Sequence, residues 1–196
     1  FRRLSNNTYY KMNGNGEYLN CSGTGNTLNT NQPIVKQLIL DSLRYWTVQM
    51  GVDGFRFDLA SILGQDAEGR WLKQSLLNEI AEDPVLSKVK LITESWDAKG
   101  SYDVGRMPLP FREWSDYFRD TVRKFVKGDQ GNVKSVADCT LGKEIYFTEQ
   151  GKNESHTIHF ITAHDGFTMW DLLSYNEKHN LMNGENNRDG NNANYS

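Results

Sequence analysis

Apolar residues recur at helical spacing in several parts of the chain. Between residues 33 and 50 these positions are Ile34, Leu38, Ile39, Leu43 and Trp46, with Pro33 suited to the first turn and Gly51 closing the helix. A second helix is predicted over about 70–83, where Trp71, Leu72, Leu76 and Ile80 share one face. A third is predicted over about 116–127, ending at Gly128, and a further amphipathic stretch covers 167–178.

Between these helices, runs of apolar residues predict strands at 52–57, 88–95 and 156–166, with a short extended stretch near 111–114. Residues 1–32 are polar and rich in Asn and Gly, which predicts a long ordered loop. Strands that alternate with helices imply right-handed crossovers and a parallel sheet. The pattern therefore predicts an α/β fold, either a doubly wound sheet or part of a (β/α)8 barrel.

Composition and charge narrow the class of partner. The chain has 196 residues, of which 37% are hydrophobic and 24% charged, and its net charge is −3 with both signs interspersed. This balance argues against a nucleic-acid partner. No apolar run approaches the about 20 residues of a membrane span, so no membrane partner is predicted. Cys21 and Cys139 are too few for a disulfide framework, which favours the reducing cytoplasm, with a plastid or secretion as alternatives.

Three acidic residues stand at the ends of predicted strands. Asp58, Glu94 and Asp165 each occupy the C-terminal end of one strand, and in a parallel sheet these ends lie on one face. The alternative for a single Asp at such a place is a helix N-cap. Three acids at matching places favour a cleft with carboxylate chemistry.

Two carboxyl groups about 5–5.5 Å apart are what retaining glycoside hydrolysis needs, one as nucleophile and one as proton donor. Arg56 is two residues from Asp58, on the same strand face, where it would keep Asp58 ionised. Ile92 and Trp96 give Glu94 apolar neighbours, which favours the protonated form that a proton donor needs.

Other site chemistries lack their motifs. His156 and His159 are three residues apart on a predicted strand, so they face opposite sides and make a poor metal pair. No glycine-rich phosphate loop follows a strand, and the segment "NGENNRDGNN" lacks the regular oxygen spacing of a calcium loop. The sequence therefore predicts no cofactor and no metal.

The segments "GVDGFRFDLA", "LITESWD" and "FITAHDG" resemble the strand-4, strand-5 and strand-7 regions of the α-amylase superfamily of glycoside hydrolases. Their flanks, "YLNCSGTGNTLNTNQPIV", "REWSDYFRDTVRKFVKGD" and "HDGFTMWDLLSYNEKHNLMNGENNRDG", resemble the isoamylase and glycogen-debranching branch. The resemblance covers nearly the whole chain. It implies a partial (β/α)8 TIM barrel, roughly from the strand-3 loop through strand 7.

The resemblance also implies an activity and its residues. Asp58 would be the nucleophile, Glu94 the general acid/base, and Asp165 the residue that holds sugar hydroxyls in the transition state. Arg56 would order Asp58, and His164 would contact the sugar beside Asp165. The implied reaction is hydrolysis of α-1,6 branch points in glycogen, amylopectin or limit dextrins through a covalent glycosyl-enzyme.

Four further residues are predicted to contact the glucan. Trp96 and Phe167 are candidate platforms for sugar rings, with a place in the core as the alternative for each. Asn26 and Asn29, in the Asn-rich loop, are predicted to line the cleft.

The chain departs from the family pattern at two places. Ser95 follows the acid/base Glu94 where the family usually has Pro or Ala, and little change is expected from it because a small residue is kept. Ser115 and Asp116 replace an Asn and a Gly in the strand-6 region, which bears on the leaving-group subsites and hence on the preferred branch length.

The family's strand-3 and strand-8 motifs are absent, so residues 1–196 are interpreted as part of one catalytic barrel domain from the middle of a longer enzyme. Four strands with two open edges would expose backbone donors and apolar surface. The isolated polypeptide is therefore expected to fold poorly and to be inactive. Two alternatives stay open: an α-1,4-acting or transglycosylating member of the superfamily, and a non-catalytic glucan-binding subunit.

Overall fold

The computed structural model describes residues 1–141 and 156–192, which group into two compact units. The first unit is Phe1–Trp114 and the second is Ser115–Ser196.

The first unit is built on three short strands that run in parallel. They are β1 (Gly54–Phe57), β2 (Lys90–Thr93) and β3 (Arg112–Trp114). β1 pairs with β2 in the register Phe57↔Thr93, and β2 pairs with β3 in the register Thr93↔Glu113. The parallel sheet predicted from the alternation of strands and helices is thus present, and the C-terminal ends of the three strands are in step.

Four helices accompany these strands: α1 (Asn6–Tyr9), α2 (Pro33–Val48), α3 (Ser61–Gly64) and α4 (Leu76–Glu82), with a 3-10 turn at Leu86–Lys88. α2 has the predicted bounds within two residues. Its inner face packs with α4 and the sheet in one apolar cluster that includes Leu40, Leu76, Leu77, Ile80, Leu86, Leu91, Met107 and Phe111. The cluster includes Leu91 of β2 and packs against Phe55 and Phe57 of β1, so it covers one face of these two strands.

The second predicted helix is shorter than its apolar pattern suggested. α4 begins after Ser75, whose backbone N–H and hydroxyl both donate to Asn78 Oδ1, at 3.0 and 2.9 Å. Trp71 lies outside the helix, in an isolated antiparallel bridge, and its ring packs over Gly64. A Cβ on Gly64 would lie 2.5 Å from Trp71 Cη2, so this packing needs glycine. The apolar side chain of Trp71 therefore serves this contact with Gly64 and is not part of a helix face.

The N-terminal loop is ordered by two isolated bridges, Tyr10↔Leu28 and Met12↔Tyr18, as the sequence predicted for an ordered loop. Between them Lys11 is 3% exposed, and its ammonium donates to the carbonyls of Ile62 (3.0 Å) and Gln65 (2.7 Å) at the end of α3. Burial lowers the pKa of Lys11 from its usual 10.5. A buried cation thus ties the loop to the turn that follows β1.

Asp83 joins α4 to α2 through a nearly buried carboxylate. Its Oδ1 accepts from the backbone N–H of Val85 (2.8 Å) and Leu86 (3.0 Å), and its Oδ2 accepts from Arg44 Nε at 2.8 Å. Burial raises the pKa of Asp83, but the hydrogen bonds from Leu86, Val85 and Arg44 outweigh it, and the pKa lies below its usual 3.8.

We therefore expect Asp83→Ala to lower the free energy of unfolding of the full-length protein by about 2–3 kcal/mol at pH 7, because two backbone donors lose their acceptor. A carboxyl with a depressed folded-state pKa stabilises the fold above its unfolded value and loses that effect as pH falls through the folded one. The penalty should therefore shrink below about pH 4. Denaturant unfolding from pH 7 to pH 3 measures it.

The matched control is Asp41→Ala, which removes the other carboxylate beside Arg44. This pair is exposed, with 61% of the Asp41 side chain open to solvent, so its loss should cost less than about 0.5 kcal/mol. Equal losses for the two variants would contradict the role given to Asp83.

Gly54 allows β1 and β2 to approach closely. A Cβ at this position would lie 2.4 Å from the Lys90 carbonyl oxygen, on backbone that cannot swing aside. Gly54→Ala should cost about 1–3 kcal/mol by overpacking.

Thermal unfolding of the full-length protein checks this prediction, with Gly14→Ala as control. A Cβ on Gly14 would meet no atom within 4 Å, so alanine should be tolerated there with Tm unchanged. A wild-type Tm in Gly54→Ala would contradict the need for glycine between β1 and β2.

The second unit contains α5 (Asp116–Lys127), α6 (Val133–Thr140), β4 (Thr157–Ile158) and α7 (Met169–Ser174), with a 3-10 turn at Leu181–Asn183. α5 has the predicted bounds: Ser115 accepts from the Phe118 N–H at 2.9 Å, and Gly128 ends the helix with φ 94°. α6 was not predicted from the sequence. The amphipathic stretch predicted at 167–178 is helical only over α7.

The strand predicted at 156–166 is wrong in its length, since β4 ends at Ile158. Beyond it, the ring of His159 stacks on Phe118 at 3.9 Å, and the carbonyl of Ile161 accepts from Arg123 Nε at 2.9 Å. Arg123 of α5 thus bonds a backbone carbonyl that a longer strand would have used in its ladder. Asp165 consequently stands in a loop and not at a strand terminus.

Candidate active site

One guanidinium joins the first two predicted acids. Asp58 directly follows β1 and Glu94 directly follows β2, and Arg56 is the residue that contacts both. Its Nη1 donates to Asp58 Oδ1, and its Nη2 lies 2.9 Å from Glu94 Oε1. The sequence predicted the first of these contacts from the two-residue spacing. The structure adds the second, which gives Glu94 a charged neighbour where the sequence predicted apolar ones.

The two carboxyl groups have different surroundings. The Asp58 side chain is 69% exposed, whereas that of Glu94 is 6% exposed. Both carboxyl groups contact the one guanidinium, so they lie in the same small region of the structure. An open carboxylate beside a buried carboxyl suits a nucleophile that must reach a substrate and a proton donor that must be held still.

The backbone holds Glu94 at three points. Its N–H donates to the Phe57 carbonyl at 3.1 Å, its carbonyl accepts from the Ala60 N–H at 2.8 Å, and its Oε2 accepts from the Leu59 N–H at 3.1 Å. The last contact depends on an unusual backbone, because Leu59 has φ 44°, in the left-handed region. Such strain in a non-glycine residue persists only where the surroundings impose it, and here it aims an N–H at Glu94.

Trp114, at the end of β3, is a site residue that sequence reasoning missed. The Arg56 guanidinium lies 4.5 Å from the centre of its ring, a cation–π contact that fixes the plane of the cation. Arg56 Nε and Nη2 are buried without a hydrogen-bond partner among the described residues, so the Nη2–Glu94 contact is an ion pair without hydrogen-bond geometry. The sequence feature that could have identified Trp114 is its position at the end of the third parallel strand.

The helix-cap alternative for the acids finds no support in the structure. The residue before α3 is Ala60, and Asp58 pairs with Arg56 instead. The cap of α7 is Thr168, whose hydroxyl accepts from the Asp171 N–H at 3.1 Å. Asp165 therefore does not cap that helix.

Three other candidates of the first unit make local contacts. The ring of Trp96 is parallel to that of Tyr102, with centroids 6.5 Å apart. The backbone carbonyl of Asn26 accepts from the Ser22 hydroxyl, and Asn29 Oδ1 accepts from the Asn31 N–H at 3.3 Å. These contacts order the side chains and loops locally, and the sugar contacts of the three residues stay predictions.

The second unit contains the remaining candidates together. His164, Asp165 and Phe167 line one cleft of about 530 Å³, with Arg119 and Arg123 of α5 on its wall. His164 and Asp165 are exposed, and Phe167 is half-buried. A charged, open cleft lined by the rings of Phe160 and Phe167 is compatible with binding a polar ligand such as a sugar.

Neither a metal site nor a membrane span is found in the part of the chain that the structure describes. No group of three or more His, Cys, Asp or Glu side chains there could hold a metal ion. Among the helices of residues 1–141 and 156–192, none has the length and apolar character needed to cross a bilayer.

Comparison with known proteins gives relatives over the whole chain. Isoamylase 3 (chloroplastic) of Oryza sativa subsp. japonica is 48% identical, over 100% of this chain and 26% of its own length. The glycogen operon protein GlgX homolog of Mycobacterium tuberculosis is 45% identical, over 97% of this chain and 27% of its own. The chain thus spans roughly a quarter of these relatives. A scan against models of known families finds no match.

Among solved structures, the pullulanase of Anoxybacillus sp. LM18-11 complexed with maltotetraose matches with a TM-score of 0.63 and 28% identity. The match covers 87% of this chain and 26% of that one. The catalytic domains of such pullulanases are TIM barrels, which confirms the fold class predicted from the sequence as a partial (β/α)8 barrel. It also decides between the two α/β architectures that the hydrophobic pattern had left open.

Proposed function

Because the chain belongs to the isoamylase and glycogen-debranching branch of the α-amylase superfamily, we propose that it carries the reacting groups of a retaining glycoside hydrolase acting on α-1,6 branch points. The substrates are branched α-glucans: glycogen, amylopectin and limit dextrins. The observation that carries the proposal is the Arg56 guanidinium between Asp58 and Glu94, at the C-terminal ends of adjacent parallel strands.

In the first step Asp58 attacks the anomeric carbon, and Glu94 gives its proton to the glycosidic oxygen of the leaving chain. A covalent glycosyl–Asp58 ester results. In the second step Glu94, now ionised, takes a proton from water as that water attacks the same carbon and Asp58 leaves. Arg56 supports both steps, since it orients Asp58 and contacts the carboxylate that Glu94 becomes.

Asp165 and His164 would hold hydroxyls of the sugar that reacts, with hydrogen bonds that strengthen as its ring flattens. The exposure of both side chains in one cleft supports this role. Phe167 in that cleft and Trp96 beside Tyr102 are proposed as stacking surfaces for further sugars, and Asn26 and Asn29 as cleft-lining residues.

We also propose that residues 1–196 are part of a single catalytic barrel domain of a longer enzyme. The support is the share of the relatives' length that the chain spans, 26% and 27% for the two named above. For the compartment, the cytoplasm stays our prediction. The chloroplastic relative supports a plastid as the alternative.

The decisive experiment uses the full-length protein with glycogen, pullulan and linear amylose and measures the release of reducing ends. Release from glycogen but not from amylose is expected. Release from amylose would reject branch-point specificity. It would leave the assignment of the three acids intact, since α-1,4-acting members of the superfamily would use the same three. Glucan binding with no release from any substrate would reject hydrolysis in favour of a binding subunit.

A further inference from the structure

Glu113 of β3 is a buried carboxylate that the steps above do not use. It is 0% exposed, and its Oε2 accepts two hydrogen bonds, from the Ser95 hydroxyl at 2.8 Å and from the Gly105 N–H at 2.8 Å. A carboxylate is costly to bury even when donors surround it, so stability alone is a weak reason to have one there.

Ser95, its partner, is the residue directly after Glu94. Its side chain is 0% exposed, with the Thr93 hydroxyl 3.1 Å from its own. Its carbonyl accepts from the Asp103 N–H at 2.8 Å. Ser95 is therefore held through both its side chain and its backbone.

Glu94 and Ser95 lie on opposite faces of the extended chain that leaves β2, because successive side chains of such a chain alternate. The neighbouring hydroxyls of Thr93 and Ser95 mark the inner face, where Glu113 lies. On the other face Glu94 contacts Arg56. The Ser95–Glu113 hydrogen bond on the inner face thus fixes the backbone from which the Glu94 side chain projects.

We propose that the Ser95–Glu113 hydrogen bond positions Glu94, so that Ser95 and Glu113 are positioning residues for proton transfer to and from the glycosidic oxygen. This inference rests on the proposed function and deepens it. It also revises the expectation that Ser95, a small residue in place of the usual Pro or Ala, changes little. The hydroxyl, and not the small size, is what the buried carboxylate uses.

Ser95→Ala and Glu113→Gln test the proposal in the full-length protein. Each change should lower kcat on glycogen about tenfold, with KM within about twofold, because a misplaced proton donor slows chemistry more than binding. Both donors bond Oε2, and the Gln amide oxygen that takes its place accepts them without the negative charge, so both hydrogen bonds weaken. The double variant should be no slower than the slower single variant, since both changes act on one contact.

A second readout separates positioning of Glu94 from general damage. An α-maltosyl fluoride needs no proton to release its leaving group, so the burst of fluoride in the first turnover depends on Asp58 and not on Glu94 as acid. The burst rate should stay within about twofold of wild type in both variants. Ser75→Ala, which removes another buried serine hydroxyl, should lower Tm and leave kcat on glycogen unchanged.

Wild-type kcat in Ser95→Ala and in folded Glu113→Gln would overturn the inference. So would a fluoride burst that falls in parallel with glycogen turnover, which is the result expected of a merely structural pair. Should Glu113→Gln fail to fold, Ser95→Ala decides alone, because it removes one oxygen atom. Absence of reducing-end release by the wild-type protein would instead reject the proposed function.

Discussion

Asp58→Asn is expected to lower kcat on glycogen by about 10⁴–10⁶-fold, the scale of losses seen when a nucleophile that forms a covalent intermediate is removed. Asn has nearly the same shape, so the backbone after β1 should be retained. Its amide cannot form the glycosyl ester and carries no charge to pair with Arg56. The loss should therefore appear in kcat and only weakly in KM.

Two measurements check the prediction for Asp58. Steady-state release of reducing ends gives kcat. Intact mass spectrometry after incubation with a fluorinated glycosyl fluoride should show a covalent adduct on the wild-type protein and none on the variant. Asp53→Asn is the matched control, since Asp53 is an exposed aspartate five residues earlier and should keep both turnover and adduct. A loss below tenfold, or an adduct on Asp58→Asn, would remove Asp58 from the mechanism.

Glu94→Gln is expected to lower kcat on glycogen by about 10²–10⁴-fold, because general acid–base catalysis is lost in both steps. The amide oxygen of Gln can still accept from the Leu59 N–H, so the local fold should survive. Release of fluoride from an α-maltosyl fluoride in the first turnover should be affected far less, since that leaving group needs no proton.

Glu79→Gln serves as the control for Glu94. Glu79 is also an ion-paired glutamate of the first unit, with Lys36 at 2.5 Å, and it lies on α4 away from the strand ends. Its replacement should leave kcat within about twofold. A loss below tenfold on glycogen for Glu94→Gln would contradict its assignment as the acid/base.

Much of the site followed from the sequence because parallel strands impose simple geometry. Once β1 and β2 are adjacent and in register, residues that follow their ends must be neighbours, and Asp58 and Glu94 are. The Arg56–Asp58 pair followed from the two-residue period of a strand. The end of α5 followed from Gly128.

What could not be predicted depends on contacts between residues distant in the chain. The apolar Trp71 fits a helix face as well as the packing over Gly64 that it makes. β4 ends at Ile158, and the residues beyond it contact side chains of α5, more than 30 residues earlier. The partner of Ser95 is likewise 18 residues away, on another strand.

The shared guanidinium also determines the net charge of the site. With both acids ionised, Arg56, Asp58 and Glu94 together carry one net negative charge, whereas with Glu94 protonated the trio is neutral. The neutral state is the one from which the proposed first step starts, and it is the easier one to remove from water when a glucan covers the site. In that step the negative charge passes from Asp58, which becomes an ester, to Glu94, so Arg56 has one carboxylate to pair with before and after it and the trio stays neutral.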